Sequence, residues 1–113
     1  MARLTLHLVP EDTWDAHDPG APYLPAAYPQ DGFVHCTDGD DEMVVVANRF
    51  YAADPRAFLL LTIDLERTGS PWRFDDPEQR YPHVYGPIDP AAVVEVRRMG
   101  RSGDGAFTRP APR

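Results

Sequence analysis

Three of the four histidines in this chain sit inside short apolar runs: His7 within Leu4–Val9, His35 within Gly32–Thr37 and His83 within Pro82–Ile88. Imidazole is not a strand filler by preference, and burying it without partners costs about 1–3 kcal/mol per lost hydrogen bond. Joint placement points to a shared site. The competing reading for each ring is a core histidine bonded to a backbone carbonyl. Side chains two apart on a strand share a face, so His35 lies with Phe33 and Thr37 while Cys36 points the other way, and His83 lies with Tyr85. The expected constellation is therefore two imidazoles and two hydroxyls. Cys36 reads as a small core residue and not as the nucleophile of a dyad with His35.

Other chemistries fit less well. Zinc sites usually show ligands at i, i+2 or i, i+4, or a compact Cys/His spacing; none occurs here, so no metal is expected, although three lone histidines from three strands remain a second reading. The serines, Ser70 and Ser102, lie in a turn and near the C-terminus, with no nucleophile elbow. All eleven basic residues are arginine, which excludes Schiff-base chemistry, a lysine base and a P-loop lysine. Tyr23, Tyr28, Tyr51, Tyr81 and Tyr85 are polar-tipped platforms for a flat ring such as adenine or nicotinamide, against the plainer reading of half-buried surface tyrosines. Arg49 and Arg80 could meet phosphates, where the plainer reading is a solvated or ion-paired side chain.

Composition narrows the class. A chain of 113 residues is long enough for one core and too short for two, and a net charge of −7 argues against nucleic acid as the main partner. One cysteine allows no internal disulfide, no signal peptide is visible, and no apolar run approaches the roughly 20 residues that span a bilayer. The expectation is a soluble cytoplasmic protein with a small-molecule or nucleotide ligand.

The elements that must position these residues follow from periodicity. Leu4–Val9 reads as a buried strand ended by Pro10, and Glu11–Ala16 as a short helix. The segment 17–30 reads as an ordered loop, then Gly32–Thr37 as a second strand. The main helix follows, with Asp38 expected to cap the amide of Asp41 and Met43, Val46, Ala47, Phe50 and Tyr51 recurring along one face. Phe58–Leu65 is a continuous apolar strand covered on both faces. Pro71–Phe74 and His83–Ile88 are shorter strands around an acidic loop, Asp75–Arg80. A helical turn from Asp89 feeds a last strand, Val93–Arg98, and Gly100–Arg113 reads as a mobile tail. The expected fold is thus α+β, one domain over 1–99 with a mixed, curved sheet and one main helix, followed by a disordered tail over 100–113.

Asp31-Gly32-Phe33-Val34-His35-Cys36-Thr37, Ala47-Asn48-Arg49-Phe50-Tyr51, Leu60-Leu61-Thr62-Ile63-Asp64 and Pro82-His83-Val84-Tyr85-Gly86-Pro87-Ile88 resemble the small bacterial family called domain of unknown function 952, over about Leu4 to Met99. The resemblance implies a fold similar to the ADP-ribosyltransferase superfamily, a split sheet with a cleft that grips NAD. It places His7 where a first-strand residue contacts the ribose, and His35 with Thr37 where a second strand flanks nicotinamide. Glu95 is the only glutamate inside a late strand and takes the place of the carboxylate that orients the acceptor. The implied reading is an NAD-using ADP-ribosyltransferase-like enzyme, with His35, His83 and Glu95 catalytic and His7, His35, Thr37 and Tyr85 binding NAD. The alternatives are a non-catalytic nucleotide or small-ligand binding domain and a metal-dependent enzyme on the histidines.

Overall fold

Pro10 marks the first corner of the chain: it closes strand β1 (Leu4–Pro10) and opens helix α1 (Glu11–Ala16) in the computed structural model, which describes residues 2–113. Within the expected loop lies a short helix α2 (Tyr28–Asp31), ended by Gly32 at φ 77°, a left-handed conformation that glycine adopts without steric cost. The remaining elements are β2 (Val34–His35), α3 (Asp40–Phe50), β3 (Phe58–Asp64), β4 (Trp72–Phe74), β5 (Pro82–Val84), β6 (Val93–Arg101) and β7 (Phe107–Pro112). Single 3-10 turns occupy Leu65–Arg67 and Pro90–Ala92.

The fold is α+β with one main helix, but its strands form two antiparallel sheets in place of one mixed sheet. One runs β1-β3-β6-β7 and the other β2-β5-β4, and every ladder in both is antiparallel. The short links β4–β5 and β6–β7 account for two of these ladders, because a parallel pair needs a crossover of a dozen or more residues. A single antiparallel bridge, Leu6 to Thr37, joins the edge of the first sheet to that of the second.

Alternation along these strands sorts two cores. Val9, Leu59, Leu61 and Ile63 of the larger sheet pack with Val34, Cys36 and Val84 of the smaller one. The opposite face of the larger sheet puts Leu6, Leu60 and Met99 against Met43 and Ala47 of α3. β3 serves both cores and is buried at all seven positions, as a continuous apolar run requires. Each fully buried leucine contributes about 1.5–3 kcal/mol.

Helix α3 carries Asp40, Asp41 and Glu42 in its first turn and Arg49 in its last, each favourable to the helix dipole. Its N-cap is Gly39, with no side-chain cap. The expected cap, Asp38, instead takes the Arg3 guanidinium at 2.6 Å and the Thr5 hydroxyl at 2.8 Å, since β1 runs close enough to supply stronger, charge-assisted donors.

Residues 100–113 are not a mobile tail. β6 continues to Arg101, turns, and returns as β7 along its edge, pairing Arg97 with Pro112 and Arg101 with Phe107. Phe107 fills the second core at 3 % exposure, and Asn48 of α3 holds both its N–H and its carbonyl, at 2.7 and 3.1 Å. One aromatic anchor plus backbone pairing suffices where the receiving edge and pocket already exist.

Candidate functional site

The smaller sheet builds the site. Its register sets His35 opposite His83 and His83 opposite Arg73, so the three side chains form a row across one face while Val34 and Val84 turn into the core. The two imidazole centroids are 5.7 Å apart. Phe33 lies flat on His83 at 3.8 Å, which fixes the plane of that ring. The His83 side chain is only 17 % exposed, against 56 % for His35.

Asp75 is the hub of this face. One oxygen accepts His83 Nδ1–H at 2.8 Å and the Tyr85 hydroxyl; the other accepts Arg73 Nε–H at 2.7 Å. Arg73 also stacks over the Tyr85 ring at 4.6 Å. The Tyr85 hydroxyl first, and then Arg73, hold the Asp75 carboxyl down to about 2, while the same bond raises the Tyr85 phenol. A carboxylate can only accept, so His83 carries its proton on Nδ1 when neutral and presents a bare Nε2. His35 is held likewise by Asp31, with Nε2 at 2.9 Å from the carboxylate. Two carboxylate-backed imidazoles thus stand side by side.

His7 is not part of that row. It alternates with Leu6 and Leu8, which pack toward α3, so its ring enters the first core beside Tyr23. Nδ1 lies 2.6 Å from the carbonyl of His35 and Nε2 3.0 Å from the Tyr23 hydroxyl. Nδ1 donates and Nε2 accepts, which uses both ring nitrogens within the protein. Burial lowers its pKa to about 4 and pushes the Tyr23 phenol up. His7 is a neutral core histidine that anchors the backbone of β2.

Two adjoining cavities flank the row. The larger, about 510 Å³, lies between this face and the end of α3, with His35, Thr37 and His83 on one side and Arg49, Phe50 and Tyr51 on the other. The smaller, about 220 Å³, reaches His7 and Tyr23. His35, Thr37, Val46 and Tyr51 border both. Tyr85 lines neither, its hydroxyl being committed to Asp75, and Glu95 stands apart, exposed on β6 and paired with Arg97 at 3.3 Å. Cys36 is buried and its thiol pKa is raised by burial, so it supplies no thiolate. Among the described residues, no three metal-ligating side chains converge, and no helix is long and apolar enough to cross a membrane.

A family model for a protein of unknown function, DUF952, matches residues 8–96, which include both histidine strands and α3. The chain belongs to the DUF952 family. The fold is shared with CC0527 from Caulobacter crescentus. Its crystal structure superposes with a TM-score of 0.77 at 20 % identity over 94 % of each chain, and its solution structure with 0.67 at 22 % over 90 % of this chain and 89 % of that one. A double mutant of CC0527 gives 0.74 at 21 % identity. None of the curated proteins matches.

In this DUF952 chain the carboxylate that holds His83 is Asp75, at the start of the acidic loop Asp75–Arg80. The signal was present: Arg73 and Asp75 are two apart at the end of Trp72–Phe74, so extended backbone puts both on the face of His83. Asp31 was legible less directly, because it reaches His35 from the end of α2, an element the broken segment 17–30 did not announce.

Proposed function

We propose that this protein binds NAD in the larger cavity and cleaves its nicotinamide–ribose bond, with Asp75 in the part that the family resemblance gave to Glu95. The observation that carries the reading is the Asp75–His83 pair. An ionised carboxylate fixes Nδ1, a stacked phenyl fixes the plane, and His83 lines a cavity of about 510 Å³ with no hydrogen bond to Nε2 among the described residues. That is the arrangement of a general base. As the bond from ribose C1′ to the nicotinamide nitrogen breaks, its electron pair leaves with nicotinamide and positive charge develops on the ribose. Asp75, already committed to Arg73, His83 and Tyr85, acts through His83 and not directly on that charge. Water or an acceptor hydroxyl forms the new bond to C1′ and loses its proton to His83 Nε2. The resemblance supplies the substrate; the residues supply the chemistry.

The test is nicotinamide release from NAD, together with the melting temperature in millimolar NAD. Ligand at a hundredfold excess over Kd stabilises by about 2.7 kcal/mol, several degrees for a domain of this size. Release by the wild type that is lost in His83→Ala, with the thermal shift retained, is the expected result. A shift without release assigns the non-catalytic binding reading instead. No shift and no release overturn both.

A further inference from the structure

The carboxylates that border the larger cavity are spent on the protein, while several of its donors are not. Asp75 takes Arg73, His83 and Tyr85, and Asp76 accepts the backbone N–H groups of Arg80 at 3.0 Å and Tyr81 at 3.2 Å. Tyr81 in turn gives its hydroxyl to Glu42 at 2.5 Å. The Arg49 guanidinium and the Thr37 and Tyr51 hydroxyls, by contrast, line the cavity with no hydrogen-bond partner among the described residues. Apart from Arg49 and Arg67, every arginine is held by a carboxylate or by backbone carbonyls. Arg49 is exposed at the last turn of α3 with no acid beside it, so its guanidinium is free to meet an anion at the cavity wall.

We infer that the larger cavity contains an anion subsite for a phosphoryl group, with Arg49 as its charge and Thr37 and Tyr51 as its neutral donors. The guanidinium offers a planar fork of donors, and the hydroxyls stand elsewhere on the same lining, Thr37 just past β2 and Tyr51 at the end of α3, so a group that takes all three presents several acceptor oxygens around one centre. A phosphoryl group does so, whereas a carboxylate has two oxygens in one plane. The subsite leaves His83 Nε2 free for proton transfer. It deepens the NAD reading and rests on it only for the identity of the nucleotide; the unspent donors stand without it.

Calorimetric titration with inorganic phosphate, inorganic pyrophosphate and ADP tests the subsite without any cleavage step. Pyrophosphate and ADP should bind saturably and more weakly as salt is raised. Arg49→Gln should raise both Kd values about tenfold or more, and Arg49→Lys should restore part of the loss. Arg67→Gln, the other arginine without an acid and lining neither cavity, should change nothing. ADP binding more tightly than phosphate or pyrophosphate assigns the phosphoryl group to a nucleotide; equal affinity assigns it to a free anion, and both outcomes support the subsite. ADP or pyrophosphate binding equally to wild type and Arg49→Gln, or not at all, overturns it. Absence of nicotinamide release would sink the cleavage reading while leaving this result intact.

Discussion

His83 donates its Nδ1–H to Asp75 across 2.8 Å, and this contact decides which end of the imidazole the cavity meets. Because Asp75 also receives Tyr85 and Arg73, its charge is secure and its position is shared between two strands and a loop. In Asp75→Asn the amide presents a donor as readily as an acceptor, so the fixed tautomer is lost. Nicotinamide release is expected to fall on the order of a hundredfold with NAD affinity and melting temperature little changed. With the Asp75 carboxyl held down to about 2, wild-type activity should show no titration of this group at neutral or mildly acid pH. A pH–rate profile compared between the two proteins checks both statements.

His7 gives a pH dependence of stability with a definite sign. Folded, it takes up a proton only near pH 4; unfolded, it does so near pH 6.5, by the ordinary value of the side chain. Between these values the unfolded state binds more protons, so stability rises with pH through the window and the contribution is complete above it. Acidification through the window should cost about 3 kcal/mol from this ring alone. His7→Asn keeps a donor toward the carbonyl of His35 and cannot titrate. Its urea midpoint should be lower than wild type at neutral pH but flatter between pH 4 and 6.5. An acid slope identical to that of the wild type would contradict a ring buried neutral.

The β7 strand should be integral to stability. Phe107→Ala removes a 3 %-exposed ring from the core that also holds Phe58 and Met99, and is expected to cost about 3–5 kcal/mol in equilibrium urea unfolding. Asn48→Ala strips two hydrogen bonds from the Phe107 backbone and should cost about 1–3 kcal/mol. Truncation after Arg101 uncovers the edge of β6 and should raise the tendency to aggregate, measured by light scattering. A chain that lost residues 102–113 without effect would refute the pairing.

Glu95→Gln should be silent. The side chain is exposed, its partner Arg97 keeps a bidentate bond to Asp40 at 2.9 Å, and it lines neither cavity. Stability should stay within about 0.5 kcal/mol of wild type. NAD binding and nicotinamide release should be unaltered. Loss of release in this variant with release intact in Asp75→Asn would return the acidic role to β6.

Where the chain's chemistry depended on neighbours in sequence, the amino-acid order was enough. Period-two alternation set Phe33, His35 and Thr37 on one face with Cys36 on the other, and it joined His83 to Tyr85 in the same way. The 3.6-residue recurrence of Met43, Val46, Ala47, Phe50 and Tyr51 marked α3, although only Met43 and Ala47 are buried and Phe50 is 68 % exposed at the helix end, and the unbroken Phe58–Asp64 marked a strand covered on both sides. These are local rules of backbone geometry, and they act over a few residues.

What only the tertiary structure decided is which of those faces meet. The antiparallel register sets His35 beside His83 and brings Asp75 beneath it, while the same alternation along β1 turns His7 into the core, where its nitrogens are satisfied by Tyr23 and a backbone carbonyl. Phe107 looked like a lone apolar residue in a polar end, because the edge of β6 and the pocket beside Asn48 that receive it are made by segments distant in sequence. Burial between distant segments selects register and partner, and that free energy is a property of the assembled surfaces, absent from any one stretch of chain.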